Sequence, residues 1–288
     1  MYYIENYKDN IRFNPQYEEI RDFLRTNADK GYNEHFHWGR FDWMMAHSYL
    51  DIEKLSQNAL FRDENGKLAG TVLYDTSFDD RWYLLHSASD EKLLQRMIDY
   101  ATGCETGVVT IKVNEKDAML CELLGKNGFV RKYSESVLEI DLQKDFRYHL
   151  PKDIRISGQN DKIDKEQWRL VIHRGFDNEG SPELPDEEAA RAERHLETPM
   201  YSKVFAVKNG EYLSHCGIWY AGGDTAYIEP VVTVPEYRGM GLGKAVVYEA
   251  LVRAGAWGAG RAIVLSDQEF YKHIGMTKSS EVITEALQ

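Results

Sequence analysis

Apolar and polar positions alternate in short runs broken by turn residues, then give way to a helical spacing, and this succession occurs twice along the chain. Phe61 to Tyr74 reads as a strand, a hairpin at Asn65-Gly66 and a second strand, because Asn-Gly tolerates the positive φ angles of tight hairpins. Val204 to Tyr212 reads the same way around Asn209-Gly210. Further strands are predicted at Tyr83–His86, Val108–Val113, Val137–Ile140, Ile154–Ile156, Tyr227–Val234 and Ala262–Leu265, with helices beginning near Glu91 and Lys244. The interval from Gly66 to Gly210 nearly equals that from Gly128 to Gly275, which implies two copies of one fold. The boundary falls in Gln143–Pro151, giving domains 1–145 and 146–288.

Between the apolar run ending at Val234 and the helix starting near Lys244 lies Arg238-Gly239-Met240-Gly241-Leu242-Gly243. A strand that breaks into glycines and restarts as a helix leaves amide N–H groups without internal partners at the positive end of the helix dipole. Such a place suits phosphate. The glycines at 239, 241 and 243 are too closely spaced for the dinucleotide fingerprint Gly-x-Gly-x-x-Gly. A P-loop is excluded as well, since Arg238 stands where its first glycine belongs and Ala245 where its hydroxyl belongs.

Arg238, Gly241 and Gly243 match Gln/Arg-x-x-Gly-x-Gly/Ala, and here the chain resembles the GNAT acyl-CoA N-acyltransferases, whose pyrophosphate loop has that form. A second stretch, Phe270-Tyr271-Lys272-His273-Ile274-Gly275-Met276, is similar to that family's last helix and follows in the family's order. Asn114 to Phe129 resembles the same segment in the first half. The resemblance implies an α/β (α+β) chain of two GNAT-like domains, each a mixed, mostly antiparallel, splayed sheet flanked by helices. It also implies acetyl-CoA as co-substrate, no metal, and transfer of acetyl to the primary amine of a small molecule or amino acid by direct attack. Peptide or protein N-acetylation, and a silent acyl-CoA-binding module, are the alternatives it leaves open.

The site residues implied by the resemblance are specific. Val232, Thr233 and Val234 would line the pantetheine arm, held by the backbone of Val232 and Val234. The N–H groups of Arg238, Gly239, Met240, Gly241, Leu242 and Gly243 would bind pyrophosphate, Lys244 would add charge, and Phe270 would border the cofactor. Tyr271 would be the general acid for the departing thiolate, and Glu229 the base or water-positioning residue for the amine. Pro230 inside this strand removes a ladder donor and predicts a bulge or splay. In the first copy, Ser87-Ala88-Ser89-Asp90 stands where the phosphate loop would be, and Leu124 stands at the tyrosine position. Asp90 would cap the following helix and repel pyrophosphate, so the N-terminal copy is expected to bind no CoA. The tail after Met276 is short, leaving the last strands of the second domain to be reduced, or completed by the first domain or another subunit.

Composition narrows the partners. A net charge of −12 argues against a nucleic-acid surface, and no apolar run is long enough for a membrane span. Three dispersed cysteines suggest neither a disulfide framework nor a zinc site. With the polar N-terminus these features lead us to expect a cytoplasmic monomer or homodimer acting on a small-molecule amine, without nucleic-acid or membrane partners. His35-x-His37 lacks a third metal ligand. The aromatic residues Tyr32, Phe36, Trp38, Phe41 and Trp43 are expected in the core, and the acidic segment Asp177, Glu179, Glu183, Asp186, Glu187 and Glu188 in a solvated loop opening a helix at Glu187–Leu196.

Overall fold

The computed structural model describes residues 1–46, 50–75, 81–105, 107–182 and 201–287. The expected helix at Glu187–Leu196 lies outside them. The chain divides into two compact units, one of residues 1–138, 265–268 and 278–288, the other of residues 139–264 and 269–277.

The first unit begins with β1 (Tyr3–Asn6), α1 (Pro15–Thr26) and α2 (Trp38–Ala46), continues through β2 (Ala59–Arg62), β3 (Leu68–Tyr74), β4 (Trp82–His86), α3 (Glu91–Cys104), β5 (Val109–Asn114) and α4 (Ala118–Lys126), and reaches β6 (Val130–Asp141). Side-chain caps fix the helix starts: Asn14 accepts from Tyr17 N–H, Asp90 from Leu93 N–H and Asp117 from Leu120 N–H. Strands β1 to β4 pair antiparallel in sequence order, and β4 and β5 pair parallel. Phe36, Trp38, Phe41 and Trp43 are buried, as the sequence led us to expect. His35 and His37 are buried too, and burial holds their imidazoles below the usual range, at about 4 and about 3. They are neutral core side chains, and among the described residues no group of three potential ligands is placed to hold a metal ion.

The second unit comprises β7 (Arg155–Ile156), α5 (Lys165–Gly175), β8 (Tyr201–Lys208), β9 (Glu211–Trp219), β10 (Thr225–Thr233), α6 (Leu242–Ala256), β11 (Arg261–Leu265) and α7 (Glu269–His273). Strands β7 to β10 pair antiparallel in turn, whereas β10 and β11 run parallel. The β8–β9 hairpin turns through Asn209 and Gly210, at φ 53 and 89, the pair of positive angles that a two-residue turn demands. Helix α5 packs on β9 and β10, and α6 lies on β8, β9 and β10.

The unit boundary departs from the expected division at residue 145. The last strand, β12 (Thr277–Leu287), pairs antiparallel with β5, from Val282 opposite Asn114 to Leu287 opposite Val109. From Lys278 onward the chain therefore belongs to the first unit. Val282 and Ala286 are buried there, so apolar burial accompanies the ladder bonds. Among the described residues, no helix is long and apolar enough to cross a membrane.

Candidate functional site

Strand β10 leaves the sheet on one side. Its parallel pairing with β11 ends at Tyr227, opposite Ile263, while its antiparallel pairing with β9 continues to Thr233. Between Ile228 and Val231 the β9 register shifts, so that Glu229 and Pro230 together face Gly217. This is the bulge expected from Pro230. It marks the place where one edge of β10 opens.

Which backbone groups reach that edge follows from the period of two. Val234 N–H donates to Leu213 C=O in β9, 3.0 Å away, so Val232 and Val234 turn their backbone groups toward β9. Their neighbours Val231 and Thr233 present theirs to the open edge. The expectation that Val232 and Val234 would hold an extended ligand is thereby corrected, because Val232 and the Val234 N–H serve the sheet, and the Val234 carbonyl accepts from Tyr237 N–H at 3.0 Å. The Val232 carbonyl also accepts from Ser214 Oγ at 2.8 Å.

The strand ends in a 3-10 turn (Pro235–Tyr237) and then the glycine loop. Gly239 and Gly241 adopt φ 76 and 83, and Gly241 caps α6 with no side-chain bond. The first helical bond is Ala245 N–H to Gly241 C=O at 3.0 Å. The amides of Gly241, Leu242, Gly243 and Lys244 consequently have no acceptor within the helix. No acidic residue occupies this first turn, so an anion meets unpaired donors and the positive dipole end together. A Cβ added to Gly243 would lie 3.4 Å from both the Phe270 ring and Thr233 Oγ1. Glycine thus keeps strand end, loop and α7 in close contact.

Two loop residues behave differently from expectation. Arg238 N–H donates to Pro235 C=O at 3.2 Å and is already committed. The Arg238 guanidinium turns back, giving Nε to Thr233 C=O at 3.0 Å and Nη2 to Gly175 C=O and Asp177 Oδ2, each at 2.9 Å. Arg238 ties the loop to the end of α5. The Lys244 ammonium sits over the Tyr248 ring, 4.9 Å from its centroid. Of the acidic segment, Asp177 is therefore a loop anchor; Glu183, Asp186, Glu187 and Glu188 lie outside the described residues.

Tyr271 and Glu229 come together at the opening. Tyr271 is buried, and its phenol is raised above the ordinary value, first by burial and then by the neighbouring Cys216 thiol and Glu229 carboxylate. Among the described residues, no side chain hydrogen-bonds its hydroxyl. Phe270 stacks edge-on against it, with ring centroids 5.0 Å apart. Glu229 is half-buried; its carboxylate accepts from Tyr227 Oη at 2.7 Å and its carbonyl from Trp219 Nε1 at 2.7 Å. A carboxylate and a phenol that feel one another thus lie beside an open strand edge that leads to the unpaired amides of the helix start.

Sequence reasoning missed Tyr227, Cys216 and Gly175. Tyr227 could have been found two positions before Glu229 on the same strand. Cys216 carries no local signal; it reaches the site through its pairing with Val231. Gly175 ends α5 so close to β10 that an added Cβ would stand 2.5 Å from Val232 Cβ.

The corresponding edge in the first unit is covered by its own chain. Ser87 N–H donates to Ala69 C=O, so His86 turns its backbone groups toward the open side, as Thr233 does in the second unit. There the Asn33 side-chain amide meets both, Nδ2 donating to His86 C=O at 2.9 Å and Oδ1 accepting from His86 N–H at 3.5 Å. The Tyr32 hydroxyl and the Lys30 ammonium both bond Ser87 C=O. The following helix starts with Asp90 and Glu91, two negative charges at the dipole's positive end.

Comparison with known proteins follows the same lines. Residues 164–276 match the model of the acetyltransferase (GNAT) family. No curated protein matches the chain in sequence. A GCN5-related N-acetyltransferase from Sphaerobacter thermophilus is 15% identical, with a TM-score of 0.56, over 99% of this chain and 95% of that one. A tandem GNAT protein from the clavulanic acid biosynthesis pathway is 13% identical, with a TM-score of 0.60, over 100% of this chain and 98% of its own. A GCN5-related N-acetyltransferase from Kribbella flavida is 14% identical, with a TM-score of 0.54, over 76% and 88% of the two chains. At these identities the shared property is the fold. Residues 164–276 accordingly carry the match to the acetyltransferase (GNAT) family, and the chain as a whole carries the tandem GNAT fold.

Proposed function

We propose that the second unit transfers acetyl from acetyl-CoA to the primary amine of a small molecule or amino acid, by direct attack of the amine. The observation that carries this reading is the meeting of Glu229 and Tyr271 beside the open edge of β10, with unpaired α6 amides at the end of that edge.

The residues suit the donor. Val231, and Thr233 through its N–H, have backbone groups aimed where an amide-bearing arm would run, and Gly239 to Lys244 offer amides to its pyrophosphate. The thioester supplies an activated acetyl group, and the protein supplies positioning and proton transfer. Glu229 takes a proton from the acceptor's ammonium group, directly or through one water, so that the nitrogen lone pair can attack, and the nitrogen loses its second proton to solvent as the amide forms. Tyr271 gives its phenol proton to the sulfur as the carbon–sulfur bond breaks. Solvent then returns the proton from Glu229 to Tyr271.

Gly241 provides the test of the donor site. Its φ of 83 is strained for any side chain, and a Gly241→Val chain would distort the cradle. Ligand that binds only the folded form raises the melting temperature by mass action. Acetyl-CoA should raise the wild-type Tm and leave that of Gly241→Val unmoved. An equal rise in both proteins would sink the assignment of this loop. A panel of primary amines assayed for free CoA release then tests turnover.

A further inference from the structure

Glu229 stands at the least constrained point of β10, in the bulge where the strand has left β11. A carboxylate that must meet an incoming amine there needs to be held, because a displacement of about 1 Å from productive geometry can cost on the order of a hundredfold in rate. Two groups hold it. Trp219 Nε1 binds the Glu229 carbonyl and fixes the backbone, and Tyr227 Oη donates to Oε2 at 2.7 Å and fixes the side chain. Tyr227 is well placed for this, being buried and the last β10 residue paired on both sides, with Trp219 in β9 and Ile263 in β11. Its ring has only two side-chain torsions, and burial restricts both. The hydroxyl is a neutral donor, so it leaves the carboxylate charge in place.

We propose that Tyr227 is a positioning residue for acetyl transfer, holding the Glu229 carboxylate in the orientation from which it takes the acceptor's proton. The inference rests on the reading of Glu229 as the base. Tyr227 touches no reacting atom; it acts through Glu229. Among the described residues, the Tyr271 phenol from α7 and, beside it, the Cys216 thiol from β9 also face this point.

The test is a kinetic cycle on the full chain, measuring free CoA released from acetyl-CoA with ethanolamine, glucosamine, putrescine and lysine as acceptors. Glu229→Gln is expected to lower kcat about a hundredfold. Tyr227→Phe should lower it about tenfold, with KM for acetyl-CoA within about twofold of wild type. In the Glu229→Gln background, Tyr227→Phe should change kcat by less than about twofold, because the group it serves is gone. Glu229→Asp draws the carboxylate one methylene away from the phenol and should lose about as much as Tyr227→Phe. Should Tyr227→Phe fail to fold, this variant carries the test. A Tyr227→Phe kcat within about twofold of wild type, a loss of equal size in both backgrounds, or wild-type turnover by Glu229→Asp would overturn the positioning role. Wild-type turnover by Glu229→Gln would instead remove Glu229 as base. No CoA release by the wild type with any of these amines would remove the enzyme reading and this one with it.

Discussion

A phenol that donates its proton late in a reaction must still carry that proton when the reaction begins. Burial raises Tyr271 above its ordinary value, and the neighbouring Cys216 thiol and Glu229 carboxylate act in the same direction. The sign is unambiguous: a raised value keeps the acid form present to higher pH, so ionisation of Tyr271 should cause no loss of rate below about pH 10. Tyr271→Phe is expected to reduce turnover by about a hundredfold or more, while acetyl-CoA still raises its Tm as in wild type. Undiminished CoA release by that variant would refute the acid role. Tyr271 was legible in the sequence because its four-residue separation from Gly275 is a local pattern spanning one short helix and the turn that ends it. Val231 and Thr233 were not, since which residues of a strand face an open edge depends on the register with β9, fixed by residues far away in sequence. The anchoring contacts of the Arg238 side chain were not legible for a similar reason, its partners Gly175 and Asp177 being brought up by α5.

Elements decide how tightly that site is built. Where α5 meets β10, a methyl at residue 175 would approach Val232 Cβ to 2.5 Å, nearer than two carbon atoms tolerate, so either helix or strand must shift. Gly175→Ala should cost about 1–3 kcal/mol and weaken acetyl-CoA binding, because the strand displaced is the one with the open edge. Gly103→Ala is the control. Gly103 is in α3 with nothing within 4 Å of an added Cβ, and replacing it should raise stability by about 0.5–1 kcal/mol. Thermal unfolding, with and without acetyl-CoA, measures both. A Gly175→Ala protein as stable as wild type would mean that the contact is soft. Hairpins, caps and the bulge were readable because Asn-Gly pairs, Asp90 and Pro230 act through the adjacent backbone. The placement of β12 was not, because its burial against β5 joins residues far apart in the chain.

At the scale of the molecule, two copies of one fold treat the same strand edge in opposite ways. In the second unit the edge at Thr233 leads to glycines and to a helix start without acidic residues; in the first, Asn33 bonds both backbone groups of His86, and Asp90 and Glu91 open the next helix. The Asn33 side chain is itself an amide, so it meets the backbone needs of that edge as an amide-bearing ligand would. An anion approaching there meets Asp90 in place of unpaired donors, since Leu93 N–H is already taken. One acetyl-CoA per chain is therefore expected by titration calorimetry. Asn33→Ala should leave that stoichiometry at one, because the two carboxylates at the start of α3 still repel pyrophosphate. Gly241→Val should abolish the binding altogether. A stoichiometry of two in the wild type would show that the Asn33 contact opens to admit ligand, and a residual stoichiometry of one in Gly241→Val would move the donor site to the first unit.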